Sequence, residues 1–259
     1  MPSKPDFIRG SVWMRPPRSR GGGQPTLSRE QIVRAAIELL DAEGAAGLSM
    51  RRLGSSLSAG ATSLYWHVAN KDELLELALD EVLGEVYVPE PLDAPWRVSV
   101  SVFANSLRAT LLRHPWMIGL LGDKPTLGPS AMRMGDRLVA LLTEAGFTGF
   151  AMSHVSSLLH AHAIGSATIE AAIAAGFGRG NVTASQVLKE IEPYLDKIAP
   201  QHPHYDQWRR ANPVGELDPQ QLWDDGFAFG LERILDGLEH WLTAGRPATP
   251  SPQPAADPT

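Results

Sequence analysis

A short run near the N-terminus carries side chains suited to contact a partner molecule through hydrogen bonds and ring faces. Thr62 and Ser63 are small and polar, so the backbone that carries them can approach a partner closely. Three rings follow without interruption at Tyr65, Trp66 and His67. Successive residues of a helix point about 100° apart, so these rings cannot all be buried. An exposed ring is unfavourable unless something binds there, and the run therefore predicts a contact surface.

Some side chains of this run are expected in the core of the domain and others on its contact surface. The alternative interpretation is that the rings simply pack a small helical core. For Leu64 and Val68 the core is the better interpretation, whereas for Tyr65 and His67 we favour contact with the partner molecule. Lys71 follows just beyond this run, at the start of the next predicted helix.

Two short helices joined by a tight connection position this run. The first is predicted from its cap at Ser49 to about Leu57, and Ser58-Ala59-Gly60 form the connection. The second helix covers residues 61–68. Two short helices joined by about three residues are typical of a helix-turn-helix, whose second helix lies in the DNA major groove.

Cap signals define the flanking helices. Ser28 and Gln31 form the pattern of a capping box, and Gly44 is a typical helix end. Asn70 is predicted to cap the next helix, with Glu73 reaching back, and that helix extends to about residue 86.

The remainder of the chain has helical periodicity and no strand signal, so the fold class is all-α, a three-helix N-terminal helix-turn-helix domain plus a larger helical domain. Residues 176–182 and 199–217 are predicted loops. The predicted helices cover residues 94–113, a short piece from Pro115, 129–145, 148–175, 183–198 and 218–245.

Composition limits the class of protein. The 259 residues are 43% hydrophobic, which is enough for a sizeable core. The absence of cysteine excludes disulfides and thiolate chemistry. We see no signal peptide and no run of eighteen apolar residues, so we expect a soluble, cytoplasmic protein without a membrane contact.

Charge is distributed unevenly along the chain. Residues 1–71 hold ten Lys/Arg and five Asp/Glu, a net +5, and residues 72–259 hold thirteen and twenty-four, a net −11. This asymmetry favours a nucleic-acid surface at one end. Residues 1–25 are predicted to be a flexible basic arm, which either is a disordered leader without a role or contacts DNA. Residues 246–259 are predicted to be a disordered tail. The arm's basic residues are Lys4, Arg9, Arg15, Arg18 and Arg20.

The motif around this surface is specific. It consists of Leu53-Gly54, then Ser58-Ala59, then Leu64-Tyr65-Trp66-His67-Val68-Ala69-Asn70-Lys71-Asp72-Glu73-Leu74-Leu75. This motif resembles the head of the TetR family of bacterial repressors, and within the head it looks close to the tetracycline repressor. The resemblance is strong over residues 27–88 and weaker to about 245. It implies a DNA-binding domain over residues 26–88 and a ligand-binding and dimerisation domain over residues 89–245.

The resemblance also assigns DNA contacts. It implies that Arg51 contacts a base and Lys71 a phosphate. Ala61, Ser58 and Gly54 depart from the tetracycline repressor pattern, so the operator should differ and the turn is unusual. The residues that would contact bases and phosphates are Thr62, Ser63, Tyr65, Trp66 and His67.

A ligand cavity and a homodimer follow from the same resemblance. The helices near residues 148–175 and 218–244 would form a four-helix bundle with their copies in a partner. Eight residues would lie near the cavity, although each could equally be core, and as a group they suit a flat apolar ligand. They are Tyr87, Phe103, Leu107, Trp116, Met117, Leu120, Leu138 and Ser157.

We expect no metal and no cofactor. The positions that match the metal-chelate ligands of the tetracycline repressor are Leu120, Asp123 and Ile169, so two of three ligands are lost. His160 and His162 point in opposite directions on a helix and cannot chelate one ion together. These histidines are predicted to be satisfied or solvent-facing, and His154 likewise.

No catalytic motif supports an enzyme. Gly176-x-Gly178-x-Gly180 follows a predicted helix rather than a strand, so it is a loop and not a nucleotide site. We expect a ligand-responsive repressor that a small aromatic or polyketide-like molecule releases from a palindromic operator, controlling an efflux or antibiotic-related gene. An activator or global regulator with a non-aromatic effector remains the alternative.

Overall fold

The computed structural model describes residues 11–14, 27–91, 94–180, 183–213 and 218–244, and helix is the regular secondary structure found in them. The all-α prediction is confirmed. The α-helices are α1 (Arg29–Gly47), α2 (Met50–Ser56), α3 (Ala61–Tyr65), α4 (Lys71–Leu83), α5 (Trp96–Arg113), α6 (Pro129–Glu144), α7 (Phe150–Gly180), α8 (Ala184–Ile198), α9 (Pro203–Ala211) and α10 (Pro219–Thr243). Short 3-10 turns cover Val12–Met14, Pro115–Met117 and Ala199–Gln201.

Local caps begin the helices of the head where the sequence predicts them. Ser28 and Gln31 form a complete capping box at α1. Asn70 caps α4 by accepting from the Glu73 backbone N–H at 2.8 Å. Gly44 has a φ of 69°, and it kinks the end of α1. The core of the head consists of fully buried residues, among them Ile32, Leu53, Leu64 and Leu74.

The larger domain is built on α5, α6, α7 and α10. Phe147 packs edge-on against Trp96 at 5.8 Å and stacks on Trp241 at 5.9 Å between ring centroids. Arg108 crosses between three of the helices, since it donates to Glu170 of α7 at 2.6 Å and to Asp224 of α10 at 2.7 Å. The hydrogen bond from Arg108 lowers the pKa of the Asp224 carboxyl, although burial opposes this.

Hydrogen bonds from α1 and α4 join the head to the larger domain. The Asp80 carboxylate of α4 accepts from the backbone N–H groups of Ser130 and Ala131, at 3.1 and 2.9 Å, and so caps the start of α6. On the other side, the Trp116 Nε1–H donates to Asp41 of α1 at 2.6 Å. The orientation of α4 is thereby tied to the larger domain.

Two predicted loops are wrong in part. Residues 176–180 continue α7, because each glycine costs only about 1 kcal/mol in a helix and extending an existing helix is far easier than starting one. Residues 203–211 form α9, where Pro203 occupies a first-turn position that proline favours. By contrast, α3 is shorter than predicted, because it ends at Tyr65 and not at Val68.

The predicted flexible arm is partly ordered. Residues 11–14 form a 3-10 turn that packs on α4, and Ser11 is fully buried. This contradicts a wholly flexible arm over residues 1–25. The arm's basic residues Lys4, Arg9, Arg15, Arg18 and Arg20, and the tail at 246–259, lie outside the described residues.

One helix in the described ranges is long and apolar enough to cross a membrane, which corrects the expectation that no such segment exists. It covers Phe150–Phe177 within α7, with a mean hydropathy of 1.2, and 22% of that window is buried. Core helices of soluble proteins pass the same test of length and composition, so this is weak evidence for a membrane span.

Candidate nucleic-acid interface and effector cavity

The connection between α2 and α3 has an unusual backbone. Ser58 has a φ of 50°, in the left-handed region that glycine adopts most easily. The Ala59 N–H donates to the Gly54 carbonyl at 2.8 Å, which closes the end of α2. The sequence indicates an unusual turn at Ser58, and the positive φ of this residue shows that the backbone of the turn is strained.

The aromatic run divides between core and surface. Leu64 and Val68 are fully buried, whereas Tyr65 is 50% and Trp66 80% exposed. His67 is half-buried. The head core is therefore complete without Tyr65 or Trp66, and the alternative in which both rings pack that core is excluded. We call the exposed side chains of Arg51, Ser63, Tyr65 and Trp66, together with His67, the recognition surface.

Lys71 is held in place beside this surface. Its Nζ donates to the Ala45 carbonyl at 2.7 Å, and the side chain is half-buried. An ammonium group has three N–H donors, so two stay available for a phosphate. Thr62 belongs to α3, but its side chain lies outside the described residues.

Three buried carboxylates on α4 are functional candidates that sequence reasoning missed. Glu73, Glu76 and Asp80 recur at helical spacing among the leucine, alanine and valine residues of α4, which is the signal that could have found them. Glu73 accepts from the Ala69 N–H at 3.2 Å, at the end of the recognition segment. Glu76 binds Ser11, and Asp80 caps α6. The helix thus links the head, the N-terminal segment and the larger domain.

A cavity of about 590 Å³ opens in the larger domain, where we expected an effector site. This volume lies within the usual range of small-molecule pockets. Its wall takes residues from α4, α5, α6 and α7 and from the segment before α6. They are Leu83, Leu107, Leu121, Thr126, Ala131, Met132, Met134, Gly135, Asp136, Val139, His160 and Ile164.

Of the eight residues predicted for the cavity, Leu107 lies on its wall. Tyr87 and Ser157 are absent from the wall because both are exposed elsewhere, Tyr87 after the end of α4 and Ser157 on the outer face of α7. The other five are buried core residues that do not reach the wall. They are Phe103, Trp116, Met117, Leu120 and Leu138.

The histidines of α7 face different neighbours. His160 lies on the cavity wall, with its ring 5.5 Å from that of Phe103. His162 stacks on Phe227 at 4.7 Å, and its Nε2 lies 3.0 Å from the Phe227 carbonyl oxygen. The two rings do diverge, as the helical spacing predicts, and the His160 ring is half-buried and hydrogen-bonded on the cavity wall. Among the described residues, no three His, Asp or Glu side chains are grouped so as to hold a metal ion.

An exposed recognition helix, joined through α4 to a domain with a small-molecule cavity, defines a helix-turn-helix regulator. Residues 32–78 match the family model described as bacterial regulatory proteins, tetR family, and residues 88–242 match that of the tetracyclin repressor-like C-terminal domain. The chain belongs to the TetR family of transcriptional regulators.

Relatives and solved structures agree with this assignment. The chain is 32% identical over 231 residues to the HTH-type transcriptional repressor DrrR1 of Streptomyces coeruleorubidus, covering 88% of this chain and 83% of that protein. It is 42% identical over 161 residues to an HTH-type transcriptional regulator of Saccharopolyspora erythraea, covering 62% of this chain and 68% of that protein. Its structure is similar to that of the Streptomyces coelicolor TetR family protein ActR in complex with actinorhodin, with a TM-score of 0.68 and 34% identity over 84% of this chain and 99% of that one.

Proposed function

We propose that this protein is a ligand-responsive repressor. As a homodimer it binds a pseudo-palindromic operator, and a planar, largely aromatic molecule in the cavity releases it from DNA. The regulated gene is an efflux or antibiotic-related gene, and the protein acts in the cytoplasm. The observation that carries the proposal is that α4 starts at Lys71, beside the recognition surface, and ends at Leu83, on the cavity wall.

A homodimer accounts for the apolar surface that α7 and α10 leave exposed. Large apolar side chains on these two helices are at least one-third exposed in the protomer, and burying them against a second copy is favourable. The same burial accounts for the membrane-like hydropathy of α7. These side chains are Leu158, Ile169 and Ile173 of α7 and Leu222 and Phe229 of α10.

Two-fold symmetry places the two recognition helices about 34–36 Å apart, one turn of DNA. The dimer then meets two half-sites related by the same symmetry, which is why we expect a pseudo-palindrome. The side chains of the recognition surface, with Thr62, would contact base edges and phosphates, and Lys71 a phosphate.

The chemistry of the cavity supports an aromatic effector. Its wall is mostly aliphatic and thioether side chains, with Met132 and Met134 contributing polarisable sulfur that packs well against rings. The similarity to ActR, whose complex contains actinorhodin, points in the same direction. The sequence similarity to DrrR1, which is named a repressor, supports repression of the regulated gene over its activation.

Release is a population shift between two orientations of α4. Taking a dimer from 99% competent to 1% requires the effector to prefer the released state by roughly 10⁴-fold, about 5.5 kcal/mol. Linkage requires that operator DNA weaken effector binding by the same factor. A ligand that binds both states equally shifts nothing.

The test is calorimetric titration of the dimer with actinorhodin, in the absence of DNA and in the presence of saturating operator. We expect markedly weaker binding when the operator is present, and loss of operator binding in fluorescence anisotropy as the ligand is added. Equal affinity in the two titrations would overturn the proposed switch.

A further inference from the structure

His160 is the least exposed polar side chain on the wall of the cavity. It is half-buried on α7, in edge contact with the ring of the buried Phe103. The other polar side chains of the wall, Thr126 and Asp136, are exposed and so lie at the mouth. Around His160 the wall is apolar, with Leu107 and Ile164 beside it. A ligand that fills the cavity must therefore meet the imidazole.

The hydrogen bonding of His160 determines which of its nitrogens carries the proton. Its Nδ1 lies 2.7 Å from the Ser156 carbonyl oxygen, one helical turn earlier. A carbonyl oxygen can only accept, so Nδ1 carries the hydrogen and donates it. In the neutral ring Nε2 is then an acceptor. No hydrogen bond to Nε2 is found within the described part of the chain, and this atom is not sealed inside the protein.

We infer that His160 Nε2 accepts a hydrogen bond from a hydroxyl group on the effector, so that the effector is a hydroxylated aromatic molecule rather than a bare or fully etherified ring system. This inference rests on the proposed function, because it names the chemical group by which an aromatic effector is recognised. A bound ligand excludes water from the inner wall, and a ligand without a donor leaves Nε2 unpaired there. The unpaired acceptor lowers affinity, which makes His160 a specificity-determining residue.

The experiment compares three probes of nearly the same shape on the full-length dimer at pH 8. They are 2-(hydroxymethyl)anthraquinone, 2-(methoxymethyl)anthraquinone and anthraquinone, none of which ionises at this pH, and binding is measured by equilibrium dialysis. We expect the hydroxylated probe to bind roughly 3–10-fold more tightly than the other two. This comparison on the unaltered protein does not depend on how any variant folds.

The matched variant is His160→Phe, which keeps a ring of similar size and removes the acceptor. In it we expect the preference for the hydroxylated probe over the other two probes to disappear. His154→Phe is the control on the same helix, because His154 is exposed and absent from the wall, and it should keep the full preference.

The outcomes distinguish a failure of the role of His160 from a failure of the proposed aromatic effector. If all three probes bind the unaltered protein equally, or if His160→Phe keeps the preference, the role of His160 is wrong and the aromatic effector stands. If none of the three binds, the aromatic-effector proposal fails, and the role of His160 fails with it.

Discussion

The Ser11 hydroxyl donates a 2.7 Å hydrogen bond to the Glu76 carboxylate of α4, across 65 positions of the chain. The Val12 backbone N–H donates to the same oxygen at 3.0 Å, and Ser11 and Glu76 are both buried. Beside this pair, Trp13 packs so closely on Gly128 that a Cβ there would lie 2.6 Å from the indole ring. The N-terminal segment is thus bound to the helix that joins the recognition surface to the cavity.

Removing the Ser11 hydroxyl should destabilise the protein. In Ser11→Ala the buried Glu76 carboxylate loses one of its two donors, and we expect a loss of about 1–3 kcal/mol in the free energy of unfolding. Ser55→Ala is the control, since Ser55 is exposed and bonds to the Arg51 carbonyl of its own helix, and it should change stability by less than about 0.5 kcal/mol. Urea denaturation measures both, and equal midpoints for the two variants would contradict the role of the pair.

The recognition surface should carry operator specificity. Arg51→Ala or Tyr65→Ala should each cost roughly 1–3 kcal/mol of specific binding, whereas replacing Lys71 should weaken all sequences alike and flatten the salt dependence. Tyr87→Ala is the control, because Tyr87 is a similarly exposed tyrosine that follows the end of α4 and whose backbone N–H donates to Ser106 of α5. Anisotropy with operator and scrambled duplexes separates the effects. An Arg51→Ala, Tyr65→Ala double variant with unaltered affinity would show that DNA binds elsewhere.

Ser58→Gly should stabilise the head. A left-handed backbone costs an L-residue about 1 kcal/mol that glycine does not incur, so the free energy of unfolding should rise by up to about that amount. Ser58→Ala keeps a Cβ and should give no such gain. Thermal unfolding followed by circular dichroism compares the two, and a lower Tm for Ser58→Gly than for Ser58→Ala would refute the strain at this turn.

Arg108→Met should be strongly destabilising. It leaves the buried Glu170 carboxylate without its cation, and breaking a buried pair in this way costs on the order of 3–5 kcal/mol. Arg113→Met breaks an exposed pair with Glu85 at a cost of about 1 kcal/mol or less. If the two variants unfold at the same denaturant concentration, the network between α5, α7 and α10 contributes no more than a surface pair.

Effector response should not require a divalent metal. Leu120 is buried and Ile169 exposed at the positions that matched metal-chelate ligands, and neither side chain can coordinate an ion. The measurement is release of the operator by actinorhodin in excess EDTA. A response that disappears in EDTA and returns with Mg²⁺ would overturn this prediction.

The sequence by itself determined the features that depend on neighbours in the chain. The caps at Ser28 and Asn70 involve residues three positions apart, so their patterns are visible in the sequence and form as expected. The divergence of three consecutive rings also follows from the helical repeat alone. The same local reasoning places Leu64 in the core and Tyr65 at the surface, whereas the exposure of Trp66 is known from the structure.

Only the tertiary structure decided which distant residues meet. Periodicity shows that a helix has an apolar face but not which helix covers it, and so only Leu107 of the eight residues predicted near the cavity lies on its wall, whereas His160, which does, was not among them. The bond from Ser11 to Glu76 depends on where a segment with no periodicity of its own comes to lie. Such contacts are set by the packing of whole helices, which brings together side chains that no local spacing relates.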